Sequence, residues 1–330
     1  MKKYLMSAAA FAMLMGGNAM AADKVVLQLK WVAQAQFAGY YVAAEKGYYK
    51  DAGLDVEIKP GGPDIAPEQV IAGGGADVIV DWMPSALASR EKGNKLVNIA
   101  QVYNKSGLML TCRKETGITK PEDFKGKTIG VWFFGNEYPF LAWMAKLKIP
   151  TTGGKDGITV LKQGFNVDPL LQKQADCIST MTYNEYQQVL EAGVKPDDLV
   201  TFKYEDQGVS TLEDGLYVQE DKLKDPKFVE TMAKFVKASM KGWDDAAKDP
   251  KGAVAAVLKN DASGSQTEGH QTSMMTEVSK LIAGTDGTLD TKAADRTVDE
   301  LLAGGSDPVI TKKPEGAWTD VVTKAAAAMK

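Results

Sequence analysis

The chain has 330 residues, a formal net charge of −4, 44% apolar residues, two cysteines and one histidine. An acidic chain of this length has room for two lobes, each with its own core, and is a poor partner for nucleic acid. Two cysteines and one histidine make no persuasive metal site, and beyond the N-terminal segment no stretch is long and apolar enough to cross a membrane.

Met1 to Ala21 reads as an export signal. Lys2 and Lys3 form a positive start, Leu5 to Met15 is a short apolar run, and Ala19-Met20-Ala21 is a small-x-small cleavage site near Ala21. No cysteine follows the run, so no lipid anchor is expected. Removing these 21 residues leaves 309 and takes away two lysines and no acids, so the charge moves from −4 to −6. The expected location is the periplasm. Export makes a disulfide possible, but two buried thiols at Cys112 and Cys177 are the preferred reading, because spacing alone does not bring their α-carbons together.

Val25 to Lys30 alternates as a strand, and Phe37 to Lys50 has helical spacing and stops at Gly53. Leu54 to Lys59, Asp77 to Trp82 and Leu96 to Tyr103 read as further strands. Helices over Ala66 to Ala72 and Pro84 to Lys92 lie between them. This β-α-β-α-β-α-β order predicts a mostly parallel sheet covered by helices.

After the strand Gly107 to Arg113 and a polar turn, the pattern restarts. Lys127 to Val131, Ile158 to Lys162, Cys177 to Met181 and Val200 to Tyr204 read as strands. Tyr138 to Lys148, Pro169 to Lys173 and Tyr183 to Ala192 read as helices. The restart includes the loops. Trp31-Val32-Ala33-Gln34-Ala35-Gln36-Phe37 aligns without a gap on Trp132-Phe133-Phe134-Gly135-Asn136-Glu137-Tyr138. Ala76-Asp77 before a strand corresponds to Ala175-Asp176, and Asp81-Trp82 to Thr182-Tyr183. The strand Leu216 to Gln219 is expected to return the chain to the first lobe. Helices follow over Lys227 to Lys248, Lys251 to Lys259, Thr267 to Ala283 and Thr291 to Leu302. His270, in Gly269-His270-Gln271, reads as a surface residue, and Met274-Met275 as helix packing.

The expected architecture is an α/β fold of two lobes. Residues 22–106 with 212–330 form lobe 1 and residues 107–211 form lobe 2. The hinge is two crossing segments near 105–112 and 207–216, and the tail is helical. Facing loops would form one ligand cleft. One side supplies Trp31, Gln34, Phe37 and Tyr40, then Gly61, Gly62 and Asp64, then Asp81 and Trp82. The other supplies Phe134, Asn136 and Glu137, then Asn166, then Tyr183, Asn184 and Glu185. This set has π-faces, amides and carboxylates but no lysine or arginine, which suits a flat, neutral or cationic heterocycle. A carboxylate such as Glu185 or Glu137 accepts two N–H groups from an amidine-like edge, and Gly61-Gly62 would let backbone approach the ligand. A pyridoxal phosphate enzyme would need a free cleft lysine; Lys30 and Lys162 have the position but read as structural strand residues. No cofactor, catalytic residue or metal is expected.

Trp31, Phe37-Ala38-Gly39-Tyr40-Tyr41-Val42-Ala43, Glu45-Lys46-Gly47-Tyr48-Tyr49, Gly53-Leu54-Asp55-Val56, Pro60-Gly61-Gly62 and Gly74-Gly75-Ala76-Asp77 resemble the thiamine-pyrimidine-synthase-like group. That group includes periplasmic solute-binding proteins of ABC importers, alongside nitrate-, sulfonate- and taurine-binding proteins. The resemblance covers roughly residues 24–250. It implies a type II periplasmic-binding-protein fold that clamps a ligand and delivers it to an inner-membrane permease with its ATPase. A monomer is expected. A pyrimidine precursor of thiamine is the favoured ligand, ahead of riboflavin, aliphatic sulfonates and nitrate; a synthase-like enzyme ranks lower. In pyrimidine-handling members an aromatic platform and a carboxylate clasp the ring; Trp31, Tyr183 and Glu185 are the matching positions. The chain departs from the group at Gln34-Ala35-Gln36, where a histidine is usual, and lacks the cysteine cluster of the fungal branch.

Overall fold

The computed structural model describes residues 22–303 and 308–329. The export signal falls outside them. Among the described residues, ten strands form two five-stranded sheets. The first sheet contains β1 (Asp23–Gln28), β2 (Leu54–Lys59), β3 (Val78–Asp81), β4 (Leu96–Gln101) and β10 (Gly215–Gln219). The second contains β5 (Leu108–Arg113), β6 (Thr128–Val131), β7 (Thr159–Lys162), β8 (Cys177–Met181) and β9 (Leu199–Lys203).

The strand orders are β2-β1-β3-β10-β4 and β7-β6-β8-β5-β9. They are the same order once β6, β7, β8, β5 and β9 stand for β1, β2, β3, β10 and β4. In each sheet three strands pair in parallel and one strand is inserted antiparallel before the last. Both sheets are therefore mixed rather than mostly parallel. The inserted strands, β5 and β10, are the ones that carry the chain across to the other sheet and back.

The internal correspondence has an atomic basis. Asp77 accepts a hydrogen bond from the Val26 amide (2.8 Å) and returns its own N–H to the Val26 carbonyl (2.9 Å). Asp176 does the same with Thr128, at 2.8 Å in both directions. Each aspartate ties the start of a third strand to the first strand of its sheet, which fixes the register of the loops at the opposite ends.

The helices are α1 (Ala38–Glu45), α2 (Tyr48–Asp51), α3 (Pro67–Ala72), α4 (Met83–Glu91), α5 (Tyr138–Leu147), α6 (Asp168–Leu171), α7 (Glu185–Glu191), α8 (Pro226–Lys248), α9 (Pro250–Asn260), α10 (Glu268–Leu281), α11 (Thr291–Leu302) and α12 (Val321–Ala328). The run expected as one helix from Phe37 to Lys50 is broken by Gly47, which sits at φ 75°. Asp225, Asp249, Thr267 and Asp290 cap α8, α9, α10 and α11 with side-chain acceptors. The apolar stripe of α8, with Phe235, Val236 and Trp243, packs on α1, where Tyr40 meets Trp243 edge to face at 5.5 Å.

Cys112 and Cys177 are bonded, not free thiols. They lie directly opposite each other on β5 and β8, so the inserted antiparallel strand brings the sulfurs together. His270 is not a surface residue. It is 8% exposed, because the first turn of α10 packs against α7.

Candidate functional site

Loops from the matching ends of both sheets meet around a small cavity of about 20 Å³, room for about one water molecule. The first sheet's side contributes Lys30, Trp31, Gln34, Gln36 and Trp82; the second's contributes Trp132, Asn136, Met181, Tyr183, Asn184 and Glu185. Trp31 and Trp132, the aligned strand-end tryptophans, touch across the gap, with centroids 5.8 Å apart and planes at 64°. Trp132 Nε1 donates to the Gly164 carbonyl at 3.0 Å, which leaves its ring facing the cavity. Tyr183 is fully buried, and its hydroxyl has no hydrogen-bond partner among the described residues.

Lys30 overturns the expectation of a cleft without lysine. It lies just past the end of β1, after Leu29, and is 2% exposed. Its Nζ lies 2.5 Å from Asp81 Oδ1 and 5.2 Å from the centre of the Trp82 ring. Burial pulls the ammonium down, but the carboxylates of Asp81, Glu68 and Asp214 outweigh that and hold its pKa above the ordinary value. The lysine is therefore a fixed cation that stiffens the wall.

Beside it runs a chain of amides ending on an acid. Gln34 Nε2 donates to Gln36 Oε1 (2.7 Å), and Gln36 Nε2 donates to Asp214 Oδ2 (2.7 Å). The other oxygen of Asp214 accepts from Trp82 Nε1 (3.0 Å). Burial pushes Asp214 up to about 6, against the pull of Gln36, Lys30 and Trp82.

The facing wall centres on Glu185, the first residue of α7 and 1% exposed. One carboxyl oxygen accepts from the Met181 amide (2.9 Å) and the other from Asn184 Nδ2 (2.7 Å). Burial pushes its pKa up to about 7 despite these donors.

Of the expected residues, Trp31, Gln34, Trp82, Asn136, Tyr183, Asn184 and Glu185 line this cavity. Asp81 stands behind Lys30. The others lie elsewhere for definite reasons. Phe37 is buried in the core, and Tyr40 packs edge to face on Trp243 of α8. Gly61 packs on the backbone just after β1 rather than toward the cavity: a Cβ there would lie 2.4 Å from the Leu29 carbonyl oxygen. Gly62 has open space around it. Asp64 is exposed and bridges to Lys162 at 3.0 Å, while Asn166 bonds to Asp168 at the surface. Phe134 and Glu137 line a wider groove of about 500 Å³ beside the cavity, with Glu68 and Ser85. There Gly135 abuts Ser85: a Cβ would fall within 2.3 Å of its hydroxyl oxygen.

Gln36, Trp132 and Met181 belong to the lining although the sequence reading left them out. The tryptophan alignment already pointed to Trp132. Lys30 has the position of a cleft lysine in the sequence, but its pairing with Asp81, 51 residues away, and that of Gln36 with Asp214, 178 residues away, carry no local signal.

A family model described as NMT1/THI5 like matches residues 34–253. The chain is 25% identical over 243 residues to the formylaminopyrimidine-binding protein of Halalkalibacterium halodurans, covering 73% of this chain and 71% of that protein. It is 25% identical over 235 residues to the riboflavin-binding protein RibY of Chloroflexus aurantiacus, covering 69% and 64%. Among solved structures, the alkanesulfonate-binding protein SsuA of Xanthomonas axonopodis pv. citri, bound to MOPS, superposes with a TM-score of 0.63 at 13% identity, over 93% of this chain and 99% of that one. The CA3427 gene product of Candida albicans, described as having the generic periplasmic binding protein fold, superposes with a TM-score of 0.61 at 16% identity, over 93% and 95%. The two mixed sheets with their helical tail are that fold.

Proposed function

The chain belongs to the NMT1/THI5-like family, and from that premise we propose that it is the solute-binding component of an ABC importer, closing two lobes on a small heteroaromatic ligand, with an aminopyrimidine first. The lobes are residues 22–106 with 212–330 and residues 107–211. The crossings at 105–112 and 207–216 act as the hinge, and the exported protein hands its ligand to a membrane permease with its ATPase.

One observation carries the ligand class. A tryptophan pair, Trp31 and Trp132, faces a buried carboxyl, Glu185, across a gap ringed by amides. A flat ring slides between the indoles, and its N–H edge meets the carboxyl. The cavity is too small for such a ring as it stands, so entry requires the lobes to part and the indoles to separate. The formylaminopyrimidine-binding relative supports the same class.

A sulfonate is the second reading, favoured by Lys30 in the cavity wall and by the likeness to an alkanesulfonate-binding structure. Asp81 already neutralises that lysine, which lowers its worth to an anion. A riboflavin-sized ring system would need a wider opening of the same gap. A binding role is favoured over catalysis, since the cavity lysine is held as an ion-paired ammonium and offers no free amine for a Schiff base.

A thermal-shift screen against pyrimidines, flavins, purines, sulfonates and nitrate tests the reading. Pyrimidines are expected to raise the melting temperature. The Trp31→Ala and Glu185→Ala variants should stay folded and lose that rise. If both variants respond like wild type, the cleft has been assigned to the wrong residues; if no pyrimidine stabilises the wild type, the ligand class is wrong.

A further inference from the structure

Two adjacent residues of α10 reach the two walls of the cavity without lining it. His270 Nε2 donates to Asn184 Oδ1 at 2.9 Å, and His270 Nδ1 lies 3.1 Å from both carboxyl oxygens of Glu191. Gln271, fully buried, accepts the Ala35 amide on its Oε1 at 2.6 Å. Ala35 sits between Gln34 and Gln36, which both line the cavity. One helical turn thus holds the loop after β1 and the loop before α7 together.

We propose that His270 and Gln271 are positioning residues for the ligand cavity: His270 sets Glu185 through Asn184, and Gln271 sets the Gln34–Gln36 turn through the Ala35 amide. The ligand arm of this inference rests on the function proposed above.

The logic is that of a side-chain amide with two different ends. Asn184 Oδ1 accepts from His270 Nε2 and from Gln188 Nε2 (3.0 Å). Two donors on the oxygen force the NH₂ end toward Glu185, where it donates at 2.7 Å. Without His270 only Gln188 holds the amide oxygen, so the NH₂ end, and Glu185 with it, is less firmly fixed. Gln271 is oriented in the same way, its Nε2 donating to Gln266 Oε1 at 2.5 Å so that its oxygen faces Ala35. The Met181 amide donates to Glu185 and the Ala35 amide to Gln271, so hydrogen exchange at these two positions reads each arm directly.

Glutamine at 270 keeps an N–H near the Nε2 position, and asparagine keeps one near Nδ1 only. His270→Asn is expected to raise Met181 exchange in the ligand-free protein about tenfold, the worth of one hydrogen bond. It should weaken binding of 4-amino-5-hydroxymethyl-2-methylpyrimidine by a similar factor, while His270→Gln stays near wild type in both. Gln271→Leu should raise exchange at Ala35 and leave Met181 unchanged. Equal behaviour of the two His270 variants, or unchanged Met181 exchange in His270→Asn, overturns the proposal. If the wild type does not bind this pyrimidine, the ligand reading falls, and the exchange pattern in the ligand-free protein still decides the positioning claim.

Discussion

The Lys30 ammonium and the Asp81 carboxyl are 2% and 0% exposed and lie 2.5 Å apart. Asp81 Oδ1 also accepts the Trp82 amide at 2.8 Å, while its Oδ2 has no partner. Removing one member leaves a buried charge with nothing to balance it. Lys30→Met should therefore lower unfolding free energy by about 3–5 kcal/mol, measured by urea denaturation; a loss under about 1 kcal/mol would show the pair to be dispensable. The neighbouring acids set a pH dependence. Burial pushes Asp214 to about 6, Glu185 to about 7 and Glu213 to about 8. Unfolded carboxyls titrate near about 4, so in the intervening range the folded state binds more protons. These groups' contribution is fully present below about pH 4 and is lost as pH rises through about 6 to 8. The melting temperature should fall between pH 5 and pH 8, and Glu213→Gln should flatten the upper part of that fall. Side-chain roles are only partly legible in the sequence. Trp31, Tyr183 and Glu185 stand at strand-to-helix junctions, where position alone suggests a cavity. His270 looked exposed because the helix carrying it shows polar neighbours, and its partners Asn184 and Glu191 belong to a distant element.

The elements were legible wherever local pattern decides them. The strands Leu54–Lys59 and Cys177–Met181 and the helix α11 fall where alternation, caps and period place them. Strand insertion was not legible. β5 and β10 are short, nearly fully buried strands, and nothing local says that each lies antiparallel between two others. The same gap hid the disulfide, since Cys112 meets Cys177 only through that insertion. Helix packing makes its own demand. In α8, Gly242 lies against α1 so closely that a Cβ would sit 2.1 Å from the Gly39 carbonyl oxygen and 2.8 Å from the Ala43 amide nitrogen. Both are backbone atoms and cannot swing aside. Gly242→Ala should wedge the two helices apart and lower stability by about 1–3 kcal/mol; an unchanged urea midpoint would mean that α8 packs elsewhere.

At the scale of the molecule, two sheets of one strand order carry loops at matching ends, and those loops face each other. The repeat was readable in advance from the aligned tryptophans and the paired Ala-Asp steps, and Asp77 and Asp176 give it a common hydrogen-bonding cause. What no local pattern could supply was the closeness of the facing walls, which depends on how the two crossings set the sheets. On the proposed function, these walls close on one aminopyrimidine, with Glu185 as the carboxyl that receives it. Calorimetric titration of the wild type and of Glu185→Gln with 4-amino-5-hydroxymethyl-2-methylpyrimidine tests this most directly. The claim predicts saturable binding at one site per chain in the wild type and an affinity at least about tenfold lower in the variant, the worth of one charge-assisted hydrogen bond. No binding by the wild type, or equal affinity in both proteins, would contradict it.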